Sequence, residues 1–370
     1  MPNPRNLDRV RISGFRSIRD AEITLSQLNV LVGANGAGKS NLVELFDLLG
    51  ALIGGRLEFF VRQRGGAAQM LHGGPSVTQR MTIRLDFGPN AYEVALAFGQ
   101  NDELVFERET VYFHGEGHPR PYDDQLPGGG LESRLPEAAR ERGRTFAHVA
   151  TSLHAYRVYH FHDTSPTAAV KQAWDIDDNA VLRPDAANLA AYLFRVQRTK
   201  PATYQRIVAA IRTVTPFLDD FDLRPDAVDD RRIRLAWRQR GSDQYFRANA
   251  LSDGTLRFMS LATLLLSDEG PQLLVLDEPE LGLHPYAIRQ LASMLRSAAS
   301  GRQVLLATQA IPLVDQFGLD DIIVVDRVDG ASAFNRLEAG HLEAWLDDYS
   351  VGELWDKNLL GGRPRFETTP

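Results

Sequence analysis

The apolar positions of this chain change rhythm more than once, and each change marks a different kind of structure. Between residues 8 and 25 they alternate, with Val10 and Ile12 in one run and Ile23 and Leu25 in the next, which predicts two strands. The intervening Gly14-Phe15-Arg16-Ser17-Ile18 reads as a turn carrying an exposed aromatic and a base. A more continuous apolar run, Leu28-Asn29-Val30-Leu31-Val32, then gives way to helical spacing from Asn41, with an end expected near Gly50 or Gly54-Gly55. Alternation returns over 81–87, 92–98 and 103–113, three strands parted by Gly88-Pro89-Asn90 and Gly99-Gln100-Asn101-Asp102, both turn chemistry. Residues 114–145 are rich in glycine, proline and charge and read as a long surface loop or a partly disordered insertion.

Past that loop the pattern predicts a strand over 156–161 and helices over 188–196 and 202–214, the second with Pro201 in its first turn. A hairpin is expected over 231–247 around Gly241-Ser242-Asp243. Helix 255–266, strand 273–276, helix 286–298 and strands 304–308 and 322–325 follow, and such alternation argues for a parallel sheet covered by helices. A last helix, 342–360, is expected to dock on that sheet.

Composition narrows the class. With 370 residues, 44% apolar and 24% charged, the chain has the make-up of a soluble globular protein large enough for insertions or a second domain. The absence of cysteine excludes disulfides, thiolate zinc sites and cysteine nucleophiles. Met1-Pro2-Asn3-Pro4-Arg5 lacks the apolar core of a signal peptide, and no apolar stretch is long enough to span a bilayer, so a cytoplasmic protein without membrane contact is expected. A net charge of −7 gives no global argument for nucleic acid; such a claim needs a local patch.

The candidate chemistry is concentrated in three places. Gly33-Ala34-Asn35-Gly36-Ala37-Gly38-Lys39-Ser40 lies between an apolar strand and a helix, the context in which this spacing makes a phosphate loop. Its glycines let backbone N–H groups turn inward, and the helix N-terminus adds its positive end. Lys39 can reach terminal phosphates and the Ser40 hydroxyl can ligate Mg²⁺. Leu273-Leu274-Val275-Leu276-Asp277-Glu278-Pro279 is a buried strand ending in two acids, where ligands of parallel sheets bind. There Asp277 would hold the Mg²⁺ shell and Glu278 would orient or deprotonate a water. Leu251-Ser252-Asp253-Gly254-Thr255 precedes an apolar helix; Ser252 reads equally as an N-cap or, with Gly254, as a phosphate contact.

In this order the three motifs resemble the ATP-binding cassette (ABC) ATPases. Ile12-Ser13-Gly14-Phe15-Arg16-Ser17-Ile18 and Glu280-Leu281-Gly282-Leu283-His284-Pro285 are similar to the RecF/SMC-like branch, among stand-alone AAA or RecF-like ATPases. Tyr159-His160-Phe161-His162-Asp163 and Leu182-Arg183-Pro184-Asp185 resemble that group more loosely. The resemblance implies an α/β P-loop NTPase of ABC-ATPase type, a mixed or parallel sheet core with an antiparallel β subdomain and a helical lobe. It implies one head over 1–370. Residues 1–113 would hold the phosphate loop (Walker A) and a β meander. Residues 114–250 would form an inserted loop and second lobe, and 251–370 the signature, Walker B strand, switch and C-terminal helix. It also implies ATP and Mg²⁺ as ligands. Gly33, Asn35, Gly36, Ala37, Gly38, Lys39, Ser40 and Asn41 would hold the nucleotide, and Ser40 and Asp277 the metal. Two molecules would sandwich two nucleotides, with Ser252 and Gly254 acting in trans and Glu280 to His284 crossing the seam. A water-sensing glutamine would be Gln63 or Gln69.

Two departures stand out. Gln309 occupies the place where many of these ATPases carry a histidine at the γ-phosphate, so a catalytic contribution there is uncharged and turnover is expected to be slow or differently triggered. The signature reads Ser-Asp-Gly, which places an acid near an anion.

Two further groups carry weaker chemistry. His160 and His162, with Asp163, have metal-compatible spacing but no second ligand cluster, so packing and hydrogen bonding are the plainer role. Arg232, Arg234, Arg238 and Arg240 share one face of an extended segment whose other face holds Ile233, Leu235 and Trp237; a solvated outer strand and a DNA-backbone surface both fit. Arg134, Arg140, Arg142 and Arg144 form a second group in the expected loop. The motifs thus point to ATP hydrolysis, and the resemblance, with the arginine face, implies an ATP-dimerising protein of DNA repair, recombination or defence, without long coiled-coil arms and with any nuclease on a separate chain. A cytoplasmic ATPase regulating a protein effector is the alternative, and a transporter subunit is disfavoured.

Overall fold

Strand β3 (Leu28–Val32) is buried at every position, as a central parallel strand must be. In the computed structural model, which describes residues 6–115, 122–337, 345 and 348–362, it belongs to a six-stranded sheet. The order is β17 (Ala331–Arg336), β16 (Ile322–Val328), β3, β15 (Gln303–Thr308), β14 (Leu273–Asp277), β8 (Tyr156–Tyr159). β3 runs parallel to β15 and β16, while β17 closes one edge antiparallel.

The chain groups into two units. The first takes the described parts of 1–158, 272–275 and 302–370; the second takes 159–271 and 276–301. Strand β14 passes from the first into the second after Val275.

The first unit also holds an antiparallel sheet of order β2 (Ile18–Thr24), β1 (Arg9–Phe15), β4 (Arg80–Phe87), β5 (Asn90–Phe98), β6 (Leu104–Phe113), β7 (Tyr122–Leu126). This is the predicted meander with one strand more. Helix α1 (Lys39–Ile53) buries Leu42, Leu45, Leu48 and Leu52 against the core and ends at Gly54. Each such leucine stabilises the fold by about 1.5–3 kcal/mol. Helix α2 (Leu57–Gln63) follows.

Two expectations fail in this unit, and a third is met in part. Phe15 is fully buried in the main core, so the turn before β2 exposes no aromatic. The span 114–145, read as a loop, contains β7, helix α3 (Leu135–Glu141) and the start of helix α4 (Arg144–His154). Its arginines Arg140 and Arg144 are helical, and Arg142 lies 3.7 Å from Asp124. The glycine-rich connection is held by carboxylates. Buried Glu109 accepts from Tyr92 Oη (2.7 Å), Ser133 Oγ (2.5 Å) and the Arg134 N–H (3.0 Å), and Glu132 accepts the N–H groups of Leu57 and Glu58 at the start of α2. Helix α9 (Ile311–Val314) is a single turn after β15. Within the last expected helix, 342–360, the structure forms helix α10 (Val351–Asp356), capped by Ser350, and turns rather than helix from 357 to 360; residues 342–344, 346 and 347 lie outside the described residues.

The second unit is built on helices α5 (Leu189–Thr199), α6 (Pro201–Val214, with Pro201 at its start), α7 (Asp253–Leu266) and α8 (Pro285–Ala299). A three-stranded sheet β10 (Leu218–Phe221), β12 (Ala236–Gln239), β13 (Tyr245–Arg247) and a short pair, β9 (Trp174–Asp175) with β11 (Arg232–Ile233), complete it. The expected 231–247 hairpin is therefore half right. β12 and β13 pair around Gly241, but Arg232 and Ile233 pair with β9 instead. The strand expected to reach Phe161 ends at Tyr159, where the chain turns: His160 N–H bonds to Pro184 O and Tyr159 Oη to Leu182 O, which joins the two loosely matching stretches.

Candidate nucleotide-binding site

In the first unit the loop after β3 is shaped by what surrounds it. Gly36 and Gly38 adopt φ of +78° and +117°, conformations that favour glycine. A Cβ on Gly38 would lie 2.0 Å from Ser332 Oγ, and one on Gly33 2.2 Å from Val325 O, whereas one on Gly36 would meet nothing within 4 Å. Ser332 Oγ donates to Ala37 O (2.6 Å) and shares a hydrogen bond with Ser17 Oγ (2.6 Å), which also accepts from Asn41 Nδ2 (2.5 Å). Ser17 and Ser332 brace the loop from two distant strand ends. In the sequence Ser17 stands within a motif but without a role, and Ser332 carries no signal at all.

Lys39, 5% exposed, donates its Nζ to the carbonyls of Gly33 (2.7 Å) and Ala34 (3.0 Å), folded back over the loop. Helix α1 starts at Lys39 with no side-chain cap and no acid in its first turn, so its positive end is left to a ligand. Ser40 is exposed beside it. Arg16 is buttressed on α1 by a bidentate pair with Glu44 (2.7 Å for both contacts), and Arg64 Nε joins the same carboxylate at 3.1 Å. Gln309 follows Thr308, whose register partner is Val32, so the end of β15 lies beside the start of the loop. Gln63 ends α2 and Gln69 a 3-10 turn; both are exposed.

These residues fit a nucleotide phosphate: a glycine cradle without space for side chains at Gly33 and Gly38, an uncapped helix start and a buried ammonium. Replacing Gly38 by alanine is expected to lower stability by about 2 kcal/mol or more, because the clash with Ser332 adds to the left-handed strain. Thermal melting checks this.

In the second unit Glu278 sits at φ +40°, left-handed backbone that a glutamate rarely adopts. Asp277 O is held by His162 Nε2 (2.8 Å). Helix α7 is capped by Ser252, whose Oγ accepts the Thr255 N–H at 3.2 Å, so the N-cap reading is realised; a hydroxyl in that role can still donate to an anion. Gly254 is glycine for a packing reason that the sequence did not reveal: a Cβ there would lie 2.4 Å from Gly282 O. Arg257, one turn on, is buried and donates to Phe161 O (2.9 Å), His162 O (3.1 Å) and Leu281 O, tying α7 to the segment after Glu278. Burial holds its guanidinium below the usual arginine range.

His160 and His162 lie edge to face, 6.2 Å apart, and among the described residues no group of three His, Asp or Glu could hold a metal. Ser40 in the first unit and Asp277 in the second each carry an oxygen donor of the kind Mg²⁺ takes. In the arginine segment, Ile233, Leu235 and Trp237 are buried, Arg232, Arg238 and Arg240 are exposed and Arg234 stands on their side of the alternation. Yet Arg232 and Arg238 sit in different sheets, Arg232 donates to Ala173 O, and Arg238 lies 3.9 Å from Asp219. Residues 219–247 carry seven arginines and seven aspartates, a formal charge of zero.

A family model described as "AAA domain, putative AbiEii toxin, Type IV TA system" matches residues 28–315. The chain belongs to this AAA-domain family. The DNA replication and repair protein RecF of Renibacterium salmoninarum is 25% identical over 96% of both chains. Nod factor export ATP-binding protein I is 33% identical in Sinorhizobium fredii and 46% in Rhizobium meliloti, over 32% of this chain and 32% of theirs. The chain spans about a third of the length of those export proteins. An SMC head bound to the C-winged helix domain of ScpA matches 91% of this chain and 99% of its own, with a TM-score of 0.59 at 13% identity. A second SMC head with an extended coiled coil, bound to the C-terminal domain of ScpA derived from Pyrococcus furiosus, gives 0.56 at 14% identity, over 92% of this chain and 98% of its own. This AAA-domain protein is a RecF/SMC-like ABC-type ATPase in fold, an α/β P-loop NTPase. Among its described residues no helix is long and apolar enough to cross a membrane.

Proposed function

We propose that the chain binds ATP at Gly33–Ser40 and hydrolyses it to ADP and phosphate. The observation that carries this is the braced loop with Lys39 buried over it and an uncapped helix behind it. Gly33, Asn35, Gly36, Ala37, Gly38, Lys39, Ser40 and Asn41 cradle the phosphates, Asp277 and Ser40 hold Mg²⁺, and Glu278 orients or deprotonates the attacking water. Bound Mg²⁺ would neutralise charge developing on the β- and γ-phosphate oxygens. Gln309 donates an uncharged hydrogen bond, consistent with slow turnover. Two copies close over two nucleotides, with Ser252 and Gly254 of each serving the other. Residues 1–370 act as one ATPase head, its phosphate loop and meander in 1–113, an inserted lobe in 114–250, and the signature, Walker B strand and switch in 251–370.

The work done with ATP lies on or near DNA, in repair, recombination or defence, in the cytoplasm; full-length similarity to a RecF supports this. A second reading, an ATPase that controls a separate nuclease or toxin partner without touching DNA, is favoured by the charge balance of the arginine segment and by the family's description. The wild-type chain should release phosphate from Mg-ATP; no release sinks the enzymatic reading. If DNA is the partner, duplex binding should weaken with salt. Neutralising Arg232, Arg234, Arg238 and Arg240 should flatten that dependence by about one unit of log–log slope for each arginine that touches a phosphate. Binding that ignores these changes refutes the patch and leaves the effector reading.

A further inference from the structure

The aspartate inside Ser252-Asp253-Gly254 poses an electrostatic problem. At the first position of α7 a carboxylate favours the helix, whose N-terminal end is positive. The same carboxylate repels any phosphate brought to that end. A lysine from a remote part of the second unit meets it. Lys171 ends a 3-10 turn (Ala169–Lys171) and places Nζ 3.6 Å from Asp253 Oδ1. Its side chain is 7% exposed, against 67% for Asp253, and its ammonium also donates to Thr164 O at 2.5 Å. Lys171 is thus fixed by its own turn and burial and presents its charge to Asp253 in direct contact and to Asp163 through space, while Asp253 is largely exposed to water. Arg257, the nearest cation along the helix, donates to backbone carbonyls and meets Asp253 only through space, with Glu280 as a second acid acting on it.

We propose that Lys171 is a positioning residue of the signature. By pairing Asp253 it leaves the start of α7 with no net side-chain charge, so the helix end and the Ser252 hydroxyl can receive the terminal phosphate of a nucleotide bound by a second copy of the chain. This rests on the role proposed for Ser252 and Gly254. Without Lys171 the phosphate would meet a bare carboxylate. Because Asp253 is well solvated, screening keeps the effect moderate.

The test is dimerisation of the full chain, followed by light scattering against the concentration of a non-hydrolysable ATP analogue with Mg²⁺. Lys171→Met should raise the half-maximal concentration about tenfold, equivalent to about 1.4 kcal/mol, and Lys171→Arg should stay near wild type. The double variant Lys171→Met with Asp253→Asn should return to within about twofold of wild type. A double variant no better than Lys171→Met, or a Lys171→Met protein that dimerises normally, overturns the proposal. If Lys171→Met also melts earlier, the double variant still decides, since losing the Asp253 charge cannot restore the Thr164 contact. Ser252→Ala separates the two levels. If it dimerises like wild type, the signature reading itself fails. If it does not dimerise although it melts like wild type, with its helix cap lost at no global cost, while Lys171→Met does dimerise, the assignment of Lys171 falls and that reading stands.

Discussion

Lys39→Ala is expected to lower phosphate release from Mg-ATP by about 10²–10³-fold or more, the lower end being the cost of removing one preorganised donor from a developing anion and charged groups in phosphoryl transfer contributing more. Two terms contribute. The ammonium is the buried cation of the loop, and in the nucleotide-free protein it satisfies the carbonyls of Gly33 and Ala34. Alanine therefore also strips two carbonyls of their donor, at about 1–3 kcal/mol if they stay dry. A melting curve separates this structural loss from the catalytic one. Lys39→Arg should not rescue activity, because a planar guanidinium cannot occupy the place of a compact ammonium between two carbonyls. Full turnover in the alanine variant would remove the basis for reading the loop as a nucleotide site.

The second large effect concerns Glu278. Glu278→Gln should reduce turnover by about two orders of magnitude or more while leaving ATP binding intact, so that ATP-bound dimers accumulate and the scattering mass doubles. The change is unusually clean at this position. Glu278 holds φ +40°, a strain of about 1–3 kcal/mol that any non-glycine residue bears, and glutamine bears it equally. Backbone and volume stay constant, and what is removed is the charge and the ability to take a proton. A variant that still hydrolyses ATP at the wild-type rate would move the base elsewhere. One that binds ATP but remains monomeric would argue against the sandwich.

How much of this could be read from the sequence depended on whether the chemistry was local. The glycine-rich turn between β3 and α1 was legible because eight consecutive residues carry it, between a strand and a helix that announce themselves by pattern. β14 was legible for the same reason, its aliphatics being continuous up to Asp277. The braces were not. Ser332 reaches Ala37 from the far end of the chain, and a serine on an edge strand has no distinguishing pattern. The segment 122–145, within the span expected as loop, looked so because its composition is polar and glycine-rich. Its order comes from Glu109 and Glu132, buried or bridging carboxylates whose partners are backbone N–H groups and hydroxyls elsewhere. Phe15 seemed exposed because a turn follows it, whereas tertiary packing places it in the core. The arginine alternation was right in its sidedness and misleading in its unity, since Arg232 leaves for another sheet pairing.

The close approach of Gly254 to Gly282 has a consequence for interpreting mutants of this protein. A signature glycine is commonly tested by substitution, and failure is taken as evidence of a nucleotide contact. Here any side chain at residue 254 drives α7 away from the segment after Glu278, with or without a phosphate present. An inactive Gly254 variant would thus report a displaced backbone, and genetic screens will return this position as essential for reasons of space. Ser252 fills no such space, but its hydroxyl also caps α7 through the Thr255 N–H, so its removal has to be read beside a melting curve.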